Sequence, residues 1–268
     1  MANFRQGGFS QMPIIVKNII IINVLVFLLQ NALGPKVDDY LALHYIQSPL
    51  FKWWQLFTHM FMHGGVAHIF FNMFALWMFG SVLENVFGPR KFLMFYLICG
   101  LGAAACHLGV LGLQFYNFNS AFLYYQQHPT ITEYANFLKK ANATGPVFSH
   151  ILKFWADTPD CSNCAQQSIE KINELYMLKI NEATVGASGA VFGLLFAFGY
   201  LFPNTELMLL FPPIPIKAKW FVTGYAAIEL YMGIQNSASD NIAHFAHLGG
   251  MLFAFIILRI WNTRRTGW

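Results

Sequence analysis

A serine, two histidines and an asparagine stand within stretches that are otherwise almost entirely apolar. Ser188 begins one such stretch, His247 lies in another, and His68 and Asn72 are four positions apart in a third. A serine hydroxyl is a weak nucleophile at neutral pH and needs a base within hydrogen-bond distance. A neutral histidine can take the hydroxyl proton and later give it to a leaving amine. Ser188 and His247 therefore suit nucleophilic attack on a carbonyl carbon.

His68 and Asn72 suit a second part of the same chemistry. Residues four apart on a helix lie on one face, so these two side chains can point to one place. Both can donate hydrogen bonds to the oxyanion that forms when a carbonyl is attacked. The alternative is that the polar groups serve packing alone, with the Ser188 hydroxyl bonded to its own helix backbone.

The elements that must position these residues are long apolar runs. The chain has 268 residues, of which 56% are hydrophobic and 10% charged, whereas soluble domains usually carry about 25% charged residues. Six runs are close to the length of about 20 residues that spans a bilayer. They cover residues 13–33, 64–83, 92–113, 185–202, 218–234 and 242–261. A buried helix of a soluble protein is the alternative for any one run, but six together favour a membrane protein.

Small residues predict which of these runs pack closely. Gly189, Gly193 and Ala197 recur every four positions in the fourth run, as do Ala246, Gly250 and Ala254 in the sixth. Small residues at this spacing let membrane helices approach each other closely. Ser188 precedes the first stripe by one residue and His247 follows the start of the second, so the two are predicted to come within reach.

Positively charged residues indicate the orientation. If six spans alternate, the short connections on one side carry only Lys36 and Lys52, and the other lysines and arginines of the short connections and termini fall on the side of both termini. Because cytoplasmic loops are enriched in Lys and Arg, both termini are predicted to be cytoplasmic. The net charge of +4 follows from this bias, and no basic cluster with interleaved aromatic residues indicates a nucleic-acid partner. The polar first twelve residues do not resemble a cleavable signal peptide.

Residues 114–184 form a polar segment between the third and fourth runs, and the alternating topology places this segment outside the cytoplasm. Helices are predicted within it at 132–142 and 164–181. The second helix carries one apolar stripe, which consists of Ile169, Ile172, Tyr176 and Ile180. Cys161 and Cys164 form a C-x-x-C sequence, for which a local disulfide, two free thiols and a zinc site are the alternatives.

Several motifs together resemble those of the rhomboid family of intramembrane serine proteases. Residues 186–189 (Gly-Ala-Ser-Gly) resemble its G-x-S-G motif, and residues 246–250 (Ala-His-Leu-Gly-Gly) resemble its A-H-x-x-G motif. Residues 63–72, which run from His63 to Asn72, resemble the second-helix motif, and residues 54–58 resemble the run before it. The resemblance extends over the chain apart from 114–184 and the termini.

The resemblance implies an all-α membrane protein, a rhomboid-like bundle of six transmembrane helices. Residues 1–268 would be a single domain with an extracytoplasmic insertion at 114–184. A dyad of Ser188 and His247 would cleave transmembrane segments of other membrane proteins, with His68, Asn72 and Ser188 in the oxyanion site. The expected supporting residues are Gly186, Gly189, Phe192 and Gly250.

The same resemblance implies where the protein acts and what it needs. The expected partners are transmembrane protein substrates and the lipid bilayer, and the expected location is a bacterial inner membrane, with the active site open to the extracytoplasmic side. No metal or cofactor is expected. The sequence does not indicate an oligomeric state.

The chain departs from the family pattern at three positions before or within the spans. Gln55 follows Trp54 where relatives carry Arg, so any role of that Arg is lost. Ala254 stands where Gly is common, and Phe192 stands where relatives often carry Tyr. The Phe192 ring is expected to pack on His247.

Other polar residues are expected to be structural. No acid is predicted to orient His247, because Asp240 lies two turns away. Glu229 in the fifth run needs a partner, and a structural hydrogen bond is favoured over catalysis. Glu84 is expected to anchor a helix end or loop.

Three further histidines raise the possibility of a metal site. His59, His63 and His244 are not accompanied in sequence by a carboxylate or an H-E-x-x-H motif, so a metal is not predicted. His63 and His244 are instead expected to form hydrogen bonds in the outer loops and at helix starts.

Two other functions are alternatives. A catalytically silent relative would bind transmembrane segments without cutting them, but such proteins typically lack the Ser or the His. A small-molecule transporter would show inverted repeats or broken helices in matching halves, and the sequence has no clear pair.

Overall fold

The computed structural model describes residues 12–208, 213–235 and 244–262, and within these ranges the chain is almost entirely helical. The helices are α1 (Ile14–Leu33), α2 (Pro35–Leu41), α3 (Gln55–Thr58), α4 (Val66–Ala75), α5 (Ser81–Phe87), α6 (Pro89–Gln127), α7 (Ile131–Lys140), α8 (Pro146–Asp157), α9 (Cys164–Ile180), α10 (Ser188–Leu201), α11 (Ala218–Gln235) and α12 (His244–Ile260). One antiparallel hairpin, β1 (Glu206–Met208) and β2 (Pro215–Lys217), is an exception to the all-α prediction.

Helices occupy all six predicted runs. Among the described residues, three helical stretches are long and apolar enough to cross a membrane: Ile14–Leu33, Val66–Phe87 and Pro89–Gln127. The second consists of α4 and α5, joined by a π-helical turn at Leu76–Gly80. Helices α10 and α12 are apolar but shorter than 18 residues. The chain is therefore built as a helical membrane protein.

Helix α6, which contains the third apolar run, is longer than predicted. The apolar run was predicted to end at Leu113, but α6 continues to Gln127 and has 39 residues. At about 1.5 Å per residue it is about 58 Å long, nearly twice the roughly 30 Å of a hydrocarbon core. The polar residues after Leu113 do not break the helix, because an α-helix in water tolerates them as well as apolar ones.

The centre of the bundle is formed by α6, α10 and α12, which approach closely at their small residues. A Cβ added at Gly250 would lie only 1.9 Å from the Gly189 carbonyl oxygen. One added at Gly193 would lie 3.1 Å from the Gly250 carbonyl oxygen and 2.7 Å from Cys99 Sγ. The predicted stripes are thus confirmed as the contact between α10 and α12, and Cys99 of α6 packs against this contact at Gly193.

A buried carboxylate fixes the start of α1, at the end of the bundle opposite to Ser188. Glu84 accepts hydrogen bonds from the main-chain N–H groups of Ile15 (3.0 Å) and Val16 (2.8 Å). These N–H groups lie in the first turn of α1, where no helical partner exists for them. The expectation that Glu84 anchors a helix end is confirmed.

The segment after α6 has its own hydrophobic core. Helices α7, α8 and α9 pack on the last turns of α6 and bury aromatic and aliphatic side chains, among them Tyr125, Tyr134, Phe137, Trp155 and Ile172. We call α7–α9 with residues 114–127 of α6 the outer segment. The predicted stripe of α9 faces inward at Ile172 and Ile180, which are both buried.

Details of the outer segment differ from the sequence predictions. Helix α7 begins one residue before its predicted start and is capped by the hydroxyl of Thr130, which accepts from the Glu133 N–H at 3.3 Å. Helix α8 was not predicted, although Pro146 at its first position is a common helix start. Cys161 and Cys164 form a disulfide with an S–S distance of 2.03 Å, so of the three alternatives the local disulfide is the one present.

Candidate active site

The main chain before Ser188 is held from two sides. Thr184 exchanges two backbone hydrogen bonds with Leu43, of 2.8 and 3.0 Å, and the Gly186 N–H donates to the His59 carbonyl at 2.9 Å. The Thr184 hydroxyl also lies 2.8 Å from Nε2 of His107, a residue of α6 that the sequence did not single out. Ser188 follows directly as the first residue of α10, so its position is fixed by the loop as well as by the helix.

Ser188 and His247 meet across the α10–α12 contact. His247 Nε2 lies 2.9 Å from Ser188 Oγ, which is hydrogen-bond distance. The Phe192 ring, one turn after Ser188, stacks on the His247 ring with a centroid distance of 4.0 Å and an interplanar angle of 5°. The expected contact of Phe192 with His247 is confirmed. The His247 side chain is buried, whereas Ser188 is half-buried.

The expectation that no acid orients His247 is wrong. Glu229 Oε2 of α11 lies 2.9 Å from His247 Nδ1 and 2.7 Å from His244 Nδ1, and all three residues are buried. Asp240, the acid that the sequence placed too far away, lies outside the described residues. The sequence signal was the rare acid in an apolar run, but the face that α11 turns to α12 cannot be read from spacing along either helix.

His68 and Ser188 both lie next to Gly186. The Gly64 N–H donates to His68 Nδ1 at 3.2 Å, so in the neutral ring the hydrogen is on Nε2. A Cβ added at Gly186 would lie 3.1 Å from His68 Nε2 and 3.4 Å from Ser188 Oγ. Because Gly186 has no side chain, a space is left open between the Ser188 hydroxyl and the His68 imidazole. Asn72 is buried one turn further along α4.

Gln55 replaces an Arg of the family pattern and has a clear structural role. Its side chain is fully buried. Nε2 donates to the carbonyl oxygens of Asp39 (3.1 Å) and Leu50 (3.0 Å), and Oε1 accepts from the N–H groups of His44 (3.3 Å) and Lys52 (3.1 Å). Gln55 therefore holds the loop between α2 and α3 to the start of α3.

His59 and His63 lie in the turn between α3 and α4. His59 Nδ1 bonds to the Gln55 carbonyl at 2.7 Å, and burial lowers the pKa of His59 to about 4. Burial, and secondly the nearby His68, lowers the pKa of His63 to about 4. His63 forms its hydrogen bonds through the main chain: its N–H donates to Gln30 Oε1 at 3.0 Å and its carbonyl accepts from Gln30 Nε2 at 3.3 Å. Within the described chain its ring nitrogens have no hydrogen-bond partner, and the ring meets His68 edge-on at 5.1 Å.

A possible metal-ligand set is present after all. Oxygen and nitrogen atoms of Glu229, His244 and His247 lie within 4.8 Å of one another. The premise that no carboxylate accompanies His244 was therefore wrong, because Glu229 comes from a different helix. Hydrogen bonds account for both Nδ1 atoms, and His244 forms the kind of bond that was expected of it.

Fold and site together define a helical membrane protein with a serine–histidine pair at the contact of two helices. The family model of the Rhomboid domain matches residues 50–128 and 148–263, which is most of the chain and includes Ser188, His247, His68 and Asn72. The chain belongs to the rhomboid family. The matched ranges leave out residues 129–147, which contain α7 and lie within the outer segment.

Three relatives illustrate the similarity. The rhomboid protease GluP of Bacillus subtilis is 42% identical over 50 residues, or 19% of this chain and 10% of GluP. The rhomboid protease GlpG of Klebsiella pneumoniae is 38% identical over 84 residues, which are 31% of this chain and 30% of GlpG. An uncharacterised mitochondrial rhomboid protein of Schizosaccharomyces pombe is 27% identical over 221 residues, which are 80% of this chain and 53% of the relative. The chain thus covers about half or less of each relative's length.

Proposed function

We propose that the protein is an intramembrane serine endopeptidase that cleaves transmembrane segments of other membrane proteins. The observation that carries the proposal is the 2.9 Å contact between Ser188 Oγ and His247 Nε2 inside an apolar bundle. A hydroxyl and an imidazole nitrogen at this distance meet the geometric requirement for a nucleophile and its base. The relatives named as rhomboid proteases support the same activity.

The reaction would proceed through an acyl-enzyme. Ser188 Oγ attacks the carbonyl carbon while its proton moves to His247 Nε2, and the carbon–nitrogen bond then breaks as His247 gives that proton to the leaving amine. Water next attacks the ester with His247 again as base, which releases the acid product and restores Ser188. Donors for the oxyanion would be His68 Nε2, the Asn72 amide and the Ser188 N–H, which lies at a helix start where N–H groups lack helical partners.

We further propose a six-span topology, with residues 1–268 as one domain and 114–184 as an extracytoplasmic insertion. Helix α6 ends and α10 begins on the side of the outer segment, and Ser188 lies at that same end. With both termini cytoplasmic, the active site would open to the extracytoplasmic side. The proposed location is a bacterial inner membrane, where the bilayer and the transmembrane substrates are the partners.

The alternatives gain less support. A silent relative has no need for a serine and a histidine held in hydrogen-bond geometry. A transporter needs a polar path through the bundle, whereas α10 is buried among apolar side chains along most of its length below Ser188.

Cleavage of a transmembrane substrate in liposomes tests the proposal. Ser188→Ala and His247→Ala are each expected to reduce cleavage at least 1,000-fold, as is usual when a member of such a catalytic unit is removed. Ser81→Ala, a serine of α5 far along the chain from the site, is the matched control and should cleave at the wild-type rate. Cleavage retained in the Ser188→Ala protein would contradict the proposal.

A fluorophosphonate probe provides an independent readout that needs no substrate. Ser188 is expected to be phosphonylated in the wild-type protein and in Ser81→Ala. No label should appear in Ser188→Ala. A label that maps to any other residue would place the nucleophile elsewhere.

A further inference from the structure

We infer that Glu229 is the positioning acid of this site, so that the working unit is a Ser188–His247–Glu229 triad instead of a dyad. The inference rests on the proposed function and adds a residue that the family motifs do not contain. It depends on three contacts of the His247 ring and on the way that α11 and α12 approach each other.

The His247 ring is held at both nitrogens and on one face. Nε2 contacts Ser188 Oγ and Nδ1 contacts Glu229 Oε2, both at 2.9 Å, while Phe192 stacks on the ring plane. An ionised carboxylate can only accept a hydrogen bond, so the ring hydrogen must be on Nδ1. Nε2 is then left without a hydrogen and can accept the Ser188 proton. Glu229 thereby selects the tautomer that the reaction requires.

A second hydrogen bond holds the carboxylate itself. His244 Nδ1 lies 2.7 Å from the same Oε2 atom, and His244 and His247 are three residues apart on one face of α12. Two donors on one oxygen restrict the Glu229 side chain to a single orientation. His244 is thus expected to act on the reaction only through Glu229.

The backbone shows why an acid of α11 can reach α12. Gly233 lies one turn after Glu229 on the same face, and a Cβ there would be 3.2 Å from His244 Cβ and 3.1 Å from the Phe245 ring. A larger residue at this position would push the helices apart. The small residue therefore allows the approach that brings Glu229 within hydrogen-bond distance of His247.

The cost of burial argues against a purely packing role. Glu229 is 6% exposed in an apolar helix, and charged groups inside a membrane protein are rare and usually functional. The proposed chemistry uses such a charge, because His247 becomes positively charged when it takes the Ser188 proton. A carboxylate beside Nδ1 stabilises that imidazolium.

Glu229→Gln is the central test, with Glu84→Gln as its matched control. The amide keeps the shape of the side chain but loses the charge and can donate to Nδ1, which favours the wrong tautomer. A fall in kcat of about 100- to 10,000-fold is expected, with KM changed less than about twofold, as for the corresponding change in serine proteases. Glu84→Gln removes the other carboxylate that is buried in the described part of the chain; this carboxylate caps α1, so Tm should fall while kcat stays within about twofold.

A double-mutant cycle distinguishes positioning from general stabilisation. The rate of Ser188 phosphonylation is measured in the His247→Ala background with and without Glu229→Gln. If Glu229 acts through His247, the second change has no effect there, and the two rates agree within about twofold. An equal loss in both backgrounds would overturn the inference, since Glu229 would then only support the fold.

Two further outcomes distinguish a failure of the Glu229 inference from a failure of the proposed protease function. If Ser188→Ala retains activity, the proposed function fails; if Ser188→Ala is inactive but Glu229→Gln has the wild-type kcat, only the inference fails. One equivalent of zinc that copurifies with the wild-type protein and is lost in Glu229→Gln would also overturn it. The three residues would in that case be metal ligands.

Discussion

The bundle around Ser188 and the outer segment use polar residues in opposite ways. In the bundle, the polar groups of the site face inward, and His247, Glu229 and His244 form one connected set of hydrogen bonds. In the outer segment, aromatic side chains fill the core, and five of the six acids in residues 114–184 are exposed. The outer segment is thus organised like a small water-soluble protein, whereas in the bundle the polar residues of the site are joined in one buried network.

The two regions also differ in how their elements are brought together. Glycine stripes let α10 and α12 touch backbone to backbone, so the distance between Ser188 and His247 depends on missing side chains. The helices of the outer segment are separated by large rings such as Tyr134 and Trp155. A small substitution should therefore lower the reaction rate when it lies in the bundle and the local stability when it lies in the outer segment.

The largest effect of this kind is expected for Gly250→Ala. The added Cβ would lie 1.9 Å from the Gly189 carbonyl oxygen, and backbone cannot move aside as a side chain can. The helices must separate, which moves His247 from Ser188, and a shift of about 1 Å commonly costs about 100-fold in rate. Phosphonylation of Ser188 and Tm should both fall. Gly224→Ala, a helical glycine with open space around it, should change neither, and equal behaviour of the two variants would disprove the role of the stripe.

A smaller effect is expected for Gly186→Ala. The Cβ would enter the space between His68 Nε2 and Ser188 Oγ, and the φ of +135° at Gly186 is unfavourable for alanine. Because the His68 side chain can shift, we expect kcat to fall about tenfold and not more than about 100-fold, within the range for a displaced oxyanion donor. Gly65→Ala, in the loop before α4 with open space around it, serves as the control in the same cleavage assay. An unchanged kcat in Gly186→Ala would remove this space from the proposed oxyanion site.

Only part of the site could be predicted from the sequence. Ser188, His247 and the two stripes of small residues could be predicted from the sequence, because a four-residue periodicity determines which residues share a helix face. His68 could be predicted for the same reason. The position of its ring hydrogen on Nε2 could not, because it depends on a hydrogen bond from the Gly64 N–H that forms only in the folded loop. Glu229 was visible as an unusual acid, but its partner depends on the rotation of α11 against α12.

The fold was predictable to a similar degree. Apolar runs predicted the positions of the bundle helices because lipid demands long apolar segments. They did not predict the end of α6, since Gln114 to Gln127 contain both polar and aromatic residues that suit a helix in water. Helix α8 was missed for a related reason: its 12 residues bury only Ile151 and Trp155, too few for a clear periodicity.

In the outer segment, we expect a core substitution to lower stability without lowering the rate at which Ser188 reacts. Trp155→Ala removes a buried ring and should destabilise this segment by about 3–5 kcal/mol. Limited proteolysis within residues 128–184 should accelerate at least tenfold, while the rate of Ser188 phosphonylation stays within about twofold. Phe154→Ala, on the same helix but 47% exposed, is the matched control and should behave as wild type. A tenfold fall in the phosphonylation rate of Trp155→Ala would show instead that the two regions are energetically connected.

The smallest effect is expected for the disulfide of the outer segment. Cys161 and Cys164 are three residues apart, so their bond closes a very short loop, and the chain-entropy contribution is at most about 2 kcal/mol. The Cys161 N–H donates to the Thr158 carbonyl at 3.1 Å and α9 begins at Cys164, so this turn is already partly ordered without the bond. Cys161→Ser/Cys164→Ser should therefore speed proteolysis of the outer segment less than about tenfold and leave Ser188 phosphonylation unchanged. An effect larger than that of Trp155→Ala would mean that the outer segment depends on its covalent link more than on its aromatic core.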